Sequence, residues 1–595
     1  MRRYNKWMLL IGLSAVVFGC GQSSPQSSLD WEPSRTDSEQ YAYLWPQDLE
    51  DKFLFGTSII NVEGPIPGAL DFKVDPFVTT LSVNEEKGTL EVLADKDVVL
   101  SFDVEKKGTR FEVDFASAGN DLQFNNFISV VAGRTAVGSR DGVWLSTKKP
   151  TVTFIDQDND TVVVNVEHTV QQGILGTDDQ GNRLLRRLFS RAESKVTVRV
   201  WLKRLKSLPQ IGGTKIKTVQ QGLDKDIGFF ASSMKFPFAD QLPIQRFAIG
   251  DVQDAQPSIT FYLKDFPERF AKVAKEAVLS WNKAFDGNQT IKVAIAPDHI
   301  DVGDPRYYVI KWFSRLDAGL RRLGVAKAIV NPLDGLVIGG GIYIAGTDFV
   351  EKFEARAAYT EEVQGHQIKP TVTFGGVNFA RVEGENPIIP FLMGSGQSSE
   401  KYIDDYYSFV FTHELGHVFG LRHNFRASTV PTANGDSVSV MDYMSRPQSV
   451  TGPAAYDIAA IRWGYYNETP AQKIPFCRDE DISENWDCNL HDSGNPVNYV
   501  LRSLIDGADF ISQVPVPIES PFIVSGMIRP LHLAKKIHRL QKQLPEAVQE
   551  TVSLKLRKAY QRILSMTPHE DLEGKELEIV KNNVENVKSF LIENQ

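Results

Sequence analysis

Three of the ten histidines of this 595-residue chain lie within eleven positions, in the stretch THELGHVFGLRHN (residues 412–424). His413 and His417 are one helical turn apart, so both rings would project from the same face of a helix. Two neutral imidazoles placed in this way can bind one Zn²⁺. Glu414 would be rotated by about 100° from His413 around the helix, which suits contact with a water on the metal rather than with the metal itself.

Gly420 and His423 extend this pattern. A glycine in the left-handed conformation ends a helix at little steric cost, and a sharp turn there would return His423 toward the metal as a third ligand. Three protein ligands leave the fourth position of a tetrahedral zinc open to water, as in catalytic sites. The stretch therefore predicts hydrolysis by a zinc-activated water, with Glu414 as the general base.

The element that must position these residues is a helix over residues 398–420, which contain no proline. Acidic residues near its start, among them Glu400 and Asp404, complement the positive end of a helix. Its apolar residues fall on nearly every face, which is typical of a helix buried in a core.

Around this helix the periodicity of the sequence changes along the chain. Residues 41–248 favour antiparallel β-structure, with alternation at 195–205 and two strands joined by an Asp/Asn turn at 151–166. The acids of that turn match part of a calcium loop, but Thr161 stands where the loop needs glycine, so calcium is possible but not supported. Further on, SITFYL (258–263) and IKVAIA (291–296) read as strands that flank a helix at 267–285, and residues 530–595 read as two or three helices.

The pattern H-E-x-x-H-x-x-G-x-x-H followed by a methionine turn resembles that of the metzincin zinc proteases. Met441, in SVMDYM, matches the methionine that lies beneath the three-histidine site in that clan. Tyr443 resembles the tyrosine that in some members ligates zinc or stabilises the oxyanion; a packed core tyrosine is the alternative.

The resemblance also implies an exposed edge strand that binds extended substrate, ahead of the active-site helix. The candidate is GLVIGGGIYIAG, residues 335–346. Its proposed substrate-facing residues are Val337, Ile338, Ile342, Tyr343 and Ile344. More narrowly, DIGFF, SWNKAF, RYYVIKW, YDIAAIRWGYY and PFCRDED, together with the zinc and methionine motifs, resemble the bacterial family of large secreted zinc-dependent metalloproteases, which are often lipoproteins. These motifs cover about residues 226–497.

The first residues resemble an export signal. MRRYNK is followed by an apolar run of 12 residues (Trp7 to Phe18) and then by VFGC, where Cys20 would be the lipidation site of a bacterial lipoprotein. A plain signal peptide with an incidental cysteine is the alternative. Gly21, where aspartate would act as a retention signal, favours the outer membrane. Of the three cysteines, Cys477 and Cys488 then remain, and their spacing favours a small-loop disulfide over a metal site.

The sequence therefore predicts a multidomain chain. Its parts are a signal peptide (1–19), a lipidated flexible tether (20–40), a mostly antiparallel β domain (41–248), an α+β metzincin-like catalytic domain with a mixed sheet and the active-site helix (249–465), and a largely helical C-terminal region with a disulfide loop (466–595). The β domain is an accessory domain or a prodomain, and a spacer or a substrate-binding module are further possibilities.

The predicted activity is that of an exported, lipid-anchored zinc endopeptidase of the bacterial envelope that binds one catalytic Zn²⁺ and acts on protein or peptide substrates. The net charge of −10 argues against a nucleic-acid partner. Two alternatives stay open: a catalytically inactive surface-binding lipoprotein, and a zinc amidase that acts on a non-protein amide such as a cell-wall crosslink. No residue pattern indicates an oligomeric state.

Overall fold

The computed structural model describes most of residues 42–488 and scattered residues between 550 and 589. The longer gaps are 64–75, 118–141, 178–182, 189–192, 209–217, 221–226, 232–240, 250–257, 286–289, 315–322, 352–371, 380–398, 431–436 and 444–451. The predicted signal peptide, tether and lipidation site at Cys20 lie outside the described residues. So does most of the predicted C-terminal helical region, which stays a prediction.

The N-terminal part forms one 11-stranded sheet in which all the paired strands are antiparallel. Its strands are β1 (Ala42–Leu44), β2 (Lys52–Glu63), β3 (Phe77–Asn84), β4 (Thr89–Ala94), β5 (Asp97–Lys107), β6 (Arg110–Asp114), β7 (Gly142–Ser146), β8 (Thr151–Gln157), β9 (Thr161–Thr177), β10 (Arg183–Leu188) and β11 (Ser194–Arg204). The order is β1-β6-β5-β4-β3-β2-β11-β9-β10, and β7 and β8 also pair with β9. The prediction of an antiparallel N-terminal region is confirmed.

The Asp/Asn turn is a hairpin between β8 and β9, as predicted. One Asp158 carboxylate oxygen accepts the backbone N–H groups of Asp160 and Thr161, at 2.9 and 2.8 Å. The second carboxylate oxygen of Asp158 lies 3.4 Å from Arg306. The acids of this turn therefore close the turn and bind an arginine.

A second, five-stranded sheet follows after a small β12–β13 pair (Thr218–Gln220 and Gln241–Pro243). Its strands are β14 (Ile259–Lys264), β15 (Ile291–Ile295), β16 (Tyr308–Phe313), β17 (Gly324–Val330) and β18 (Val337–Ala345). The order is β15-β14-β16-β18-β17, and only β17 runs antiparallel to its neighbour. A mixed sheet at this place was predicted.

Among the described residues, three helices accompany this sheet: α1 (Glu268–Ser280), α2 (Ser399–Val418) and α3 (Ala455–Tyr466). α1 lies between β14 and β15, as the sequence predicted, and packs against α2. The Trp281 indole N–H, just past α1, donates to the Thr412 carbonyl oxygen of α2 at 3.2 Å. A last short hairpin, β19 (Val372–Phe374) with β20 (Val377–Phe379), precedes α2.

The prediction that residues 337–344 form an exposed edge strand was wrong. They form β18, which pairs with β16 on one side and with β17 on the other. All nine β18 residues are buried, among them Val337, Ile338, Ile342, Tyr343 and Ile344. A continuous apolar run marks a strand that is covered on both faces and paired on both sides, and this is the physical reason for the difference. The outer strand next to α2 is β17.

The two faces of the five-stranded sheet are buried against different partners. Ile310 of β16 and Ile342 of β18 join the core beneath α1 and α2. Val309 and Tyr343, their neighbours in sequence, join the core of the N-terminal sheet instead. The five-stranded sheet is therefore the middle layer between the helices and the N-terminal sheet. Among the described residues, no helix is long and apolar enough to cross a membrane.

Candidate metal centre

The three histidines are brought together by one helix and one sharp turn. His413 and His417 lie a turn apart on α2, which ends at Val418. Gly420 follows with φ +96°, and a Cβ there would lie 2.0 Å from the Gln245 carbonyl oxygen. Only glycine fits both the conformation and the space, so the chain reverses here and returns His423 to the helix.

Each of the three rings is oriented by a hydrogen bond from its Nδ1 atom. His413 Nδ1 donates to the Val440 carbonyl oxygen at 2.7 Å, and His417 Nδ1 donates to the Leu421 carbonyl oxygen at 2.8 Å. His423 Nδ1 donates to the Asp479 carboxylate, with both oxygens at 3.0 Å. Because these oxygens only accept, the proton of each neutral ring is on Nδ1, and each Nε2 keeps its lone pair.

The Nε2 atoms fit a zinc ion. Those of His417 and His423 are 3.2 Å apart. Zinc–nitrogen bonds of about 2.0–2.1 Å in a tetrahedral arrangement imply ligand nitrogens about 3.3 Å apart. One nitrogen from each histidine lies within 4.8 Å of the others, and these three are the one such His/Cys/Asp/Glu group in the described part of the chain.

His413 provides the strongest indication that a cation completes this group. Its Nε2 atom is buried and has no hydrogen-bond partner among the described residues. Burial, with the neighbouring His423, lowers the pKa of His413 from 6.5 to about 3. The ring is therefore neutral at neutral pH, and a buried lone pair without a donor is costly unless a metal accepts it.

A buried methionine turn supports the helix from below. Met441 is fully buried, and a Cβ at Gly416 of α2 would lie 2.2 Å from its sulfur, so the turn and the helix are in direct contact. Asp457 of α3 holds this turn, since its carboxylate accepts the Ser439 hydroxyl at 2.6 Å and the Val440 N–H at 2.9 Å. Burial raises the pKa of Asp457 to about 6, although its three hydrogen bonds favour the charged form.

Glu414 of α2 lies next to Gly324, the first residue of the outer strand β17. Its side chain is mostly buried, and a Cβ at Gly324 would lie 2.7 Å from the Glu414 Cγ and 2.9 Å from its Oε1. The first residue of β17 therefore has to be small for the Glu414 carboxylate to occupy its position. No local feature of the sequence indicates this contact, because Gly324 and Glu414 are distant in the chain.

Tyr443 lies beside the histidines. Its ring centroid is 5.2 Å from that of His413 and 4.7 Å from that of His423. It also packs against the small cluster of Phe425 and the two cysteines. Tyr443 is thus close enough to line the site.

The segment after α3 contacts the site through Asp479, which accepts the hydrogen bond from His423. Cys477 and Cys488 form a disulfide, and a short 3₁₀ helix, Asp479–Ile482, lies within the loop that it closes. Burial alone would raise the pKa of the Asp479 carboxyl, but the hydrogen bond from His423 and the positive charge of Arg422 hold it below its usual value.

Asn424, the residue after the third histidine, links this loop to the methionine turn. It is fully buried. Its N–H donates to the Met441 carbonyl oxygen, and its side chain donates to the Pro475 carbonyl oxygen, both at 3.0 Å. Its side-chain oxygen accepts the Cys477 N–H at 3.1 Å. The sequence alone assigned no role to Asn424, Asp457 or Asp479, although all three lie in stretches that it singled out.

The comparisons with known proteins agree with this geometry. Residues 395–484 match the model of a protein family described as Met-zincin. Neither the curated proteins nor the solved structures give a match to the chain. The matched residues include α2, the three histidines, the methionine turn and Asp479. The metzincin-type metalloprotease family that the histidine motif predicted is therefore confirmed over this segment.

Proposed function

We propose that the chain is a zinc-dependent endopeptidase, with His413, His417 and His423 as the zinc ligands. The observation that carries the proposal is the common orientation of the rings: every Nδ1 donates to a protein oxygen, and the Nε2 atoms converge. Zn²⁺ held there supplies a Lewis acid that polarises the scissile carbonyl and lowers the pKa of a bound water.

The remaining steps belong to the chain's own side chains. Glu414 accepts the proton of the attacking water and then delivers it to the leaving amine. Its place at the wall of the site, mostly buried against Gly324, favours a single orientation of the carboxylate. Tyr443, beside two of the ligand rings, donates a hydrogen bond to the carbonyl oxygen as that oxygen gains charge.

The outer strand β17 is the place where we expect an extended substrate to bind. It pairs with β18 on one side, and on its other side no strand of the described residues pairs with it. A peptide that adds there as a further strand makes main-chain hydrogen bonds and passes Gly324, next to Glu414. This arrangement favours polypeptide over a cell-wall crosslink as the substrate.

The test is a Glu414→Gln variant assayed on casein, with zinc measured in the same sample. We expect one zinc per chain in both proteins, and hydrolysis that is lost in the variant and that a chelator abolishes in the unaltered protein. Glu400→Gln, an exposed position on the same helix, is the matched control. An unaltered protein that binds zinc but cleaves no polypeptide would favour the two alternatives, an inactive lipoprotein or an amidase. A Glu414→Gln variant with full turnover would exclude the proposed base.

Export and lipid anchoring complete the proposal. Their support is the basic and apolar pattern of residues 1–18 before Cys20, and the pairing of Cys477 with Cys488, which suits an oxidising compartment. We propose an outer-membrane lipoprotein. Metabolic labelling with a fatty-acid analogue should mark the chain and fail to mark Cys20→Ala, and fractionation of the envelope should place the label in the outer membrane.

A further inference from the structure

One of the three histidines donates its Nδ1 hydrogen bond to a different kind of acceptor from the other two. His413 and His417 donate to backbone carbonyl oxygens that belong to the methionine turn and to the turn after α2. His423 donates to a carboxylate, that of Asp479, 56 residues further along the chain. The ring of His423 is therefore set by a side chain from a separate segment.

That segment is held in place by several contacts close to Asp479. The Phe425 N–H donates to the Cys477 carbonyl oxygen at 3.0 Å, and the Cys477 N–H donates to Asn424 Oδ1 at 3.1 Å. The disulfide to Cys488 then closes a loop of which Asp479 is a part. Both cysteines are buried against Phe425 and Tyr443, so the disulfide belongs to the wall of the metal centre.

From this geometry we propose that Asp479 is a positioning residue for the metal centre, and that the Cys477–Cys488 disulfide holds Asp479 in position, so that zinc affinity depends on this disulfide. The inference rests on the proposed zinc site. A carboxylate that accepts the second ring N–H of a ligand histidine fixes the ring and its tautomer and makes the other nitrogen a better donor.

Glu480 provides a matched comparison. It follows Asp479 in the same 3₁₀ helix and carries the same charge, but it accepts hydrogen bonds from Arg422, at 2.6 Å to both of its oxygens, rather than from a ligand ring. Removal of either acid takes one negative charge from the neighbourhood of the ion. Only removal of Asp479 takes the acceptor from His423.

The experiment measures zinc affinity directly, in full-length protein stripped of metal and titrated with zinc against a competing chelator. We expect Asp479→Ala to bind zinc about 10–100-fold more weakly, as outer carboxylates of metal sites generally do when they are removed. Asp479→Asn keeps an acceptor oxygen and should recover part of that loss. Glu480→Ala should stay within about threefold of the unaltered protein, since it touches no ligand. The visible spectrum of the Co²⁺-loaded protein should change in Asp479→Ala and not in Glu480→Ala.

The disulfide is tested by a double-mutant cycle. Cys477→Ser/Cys488→Ser should weaken zinc binding, and it should have no further effect in the Asp479→Ala background. Equal losses in Asp479→Ala and Glu480→Ala would overturn the positioning role, and additive losses from Asp479→Ala and the cysteine changes would overturn the dependence on the disulfide. If the unaltered protein binds no zinc, both the proposed function and this inference are wrong. If zinc binds tightly and the affinity is unchanged in the variants, only this inference is wrong.

Discussion

Substitution of Gly324 by alanine tests the contact between the outer strand and Glu414, the proposed general base. The added Cβ would lie 2.7 Å from the Glu414 Cγ, 2.9 Å from its Oε1 and 2.9 Å from a Val410 methyl carbon. Ordinary contacts of a Cβ begin at 3.4 Å, so the Glu414 side chain has to move by about 0.7 Å or more. The backbone of Gly324 is within β17 and does not have a positive φ, so the strand itself accepts alanine.

The size of the effect follows from what Glu414 is expected to do. General acid–base groups contribute about 10²–10⁴-fold to a rate, and a misplacement of about 1 Å costs about 10²-fold. We therefore expect kcat/KM to fall by about 100-fold in Gly324→Ala, which corresponds to about 2.7 kcal/mol. Zinc affinity should change by less than about twofold, because the added methyl group faces the base and not the ligand rings.

The assay uses a fluorogenic peptide designed from the mapped cleavage sites in casein, with kcat and KM determined separately and zinc measured in each sample. Val325→Ile is the matched control, because it adds one methyl group to the next residue of β17, whose side chain packs against the N-terminal core. In the Glu414→Ala background, Gly324→Ala should cause no further loss of the residual rate. Full activity of Gly324→Ala would refute the contact, and loss of zinc in parallel with activity would place the effect on the metal centre instead.

Two further predictions concern the supports of the site and of the fold. In Gly416→Ala the new Cβ would lie 2.2 Å from the Met441 sulfur, so the methionine turn must shift. We therefore expect a lower Tm together with about 10-fold weaker zinc binding in the chelator competition. An unchanged Tm and an unchanged zinc affinity would show that the turn does not support the ligands. Burial lowers the pKa of His168 from 6.5 to about 4, so below pH 6.5 the unfolded chain takes up a proton that the folded chain does not. The folded state should lose about 3 kcal/mol of stability as the pH falls from 6.5 to 4. This loss should lower the urea midpoint of the unaltered protein, and His168→Gln should remove that part of the pH dependence. Equal pH dependence of the urea midpoint in both proteins would contradict the prediction.

Local patterns predicted the parts of the fold that local physics determines. The spacing of His413 and His417 and the glycine at 420 predicted the helix and its end, and the structure has α2 over Ser399–Val418 with Gly420 at φ +96°. Period-two alternation predicted the hairpin of β8 and β9. In each case the residues that interact are neighbours in the chain, so spacing alone carries the information.

The errors and omissions concern contacts between distant segments. The sequence predicted the strand that the structure has at 337–345, but it did not predict which strands pair with it. The sequence of a strand does not identify its pairing partners; only its uniform hydrophobicity indicates that it is buried. In the same way Gly324 and Asp479 have no local feature that marks them as neighbours of Glu414 and His423. They become visible only when the sheet and the disulfide loop are assembled around α2.

The N-terminal sheet contributes to the site through the sheet beneath it. Arg199 of β11 is buried, and its guanidinium donates to the carbonyl oxygens of Asp301 and Val302, at 3.0 and 2.8 Å, in the segment that leads into β16. Apolar side chains of both sheets, such as Val309 and Val200, share one continuous core. Because the five-stranded sheet is buried on this face as well, the N-terminal sheet supports the sheet to which β17 belongs.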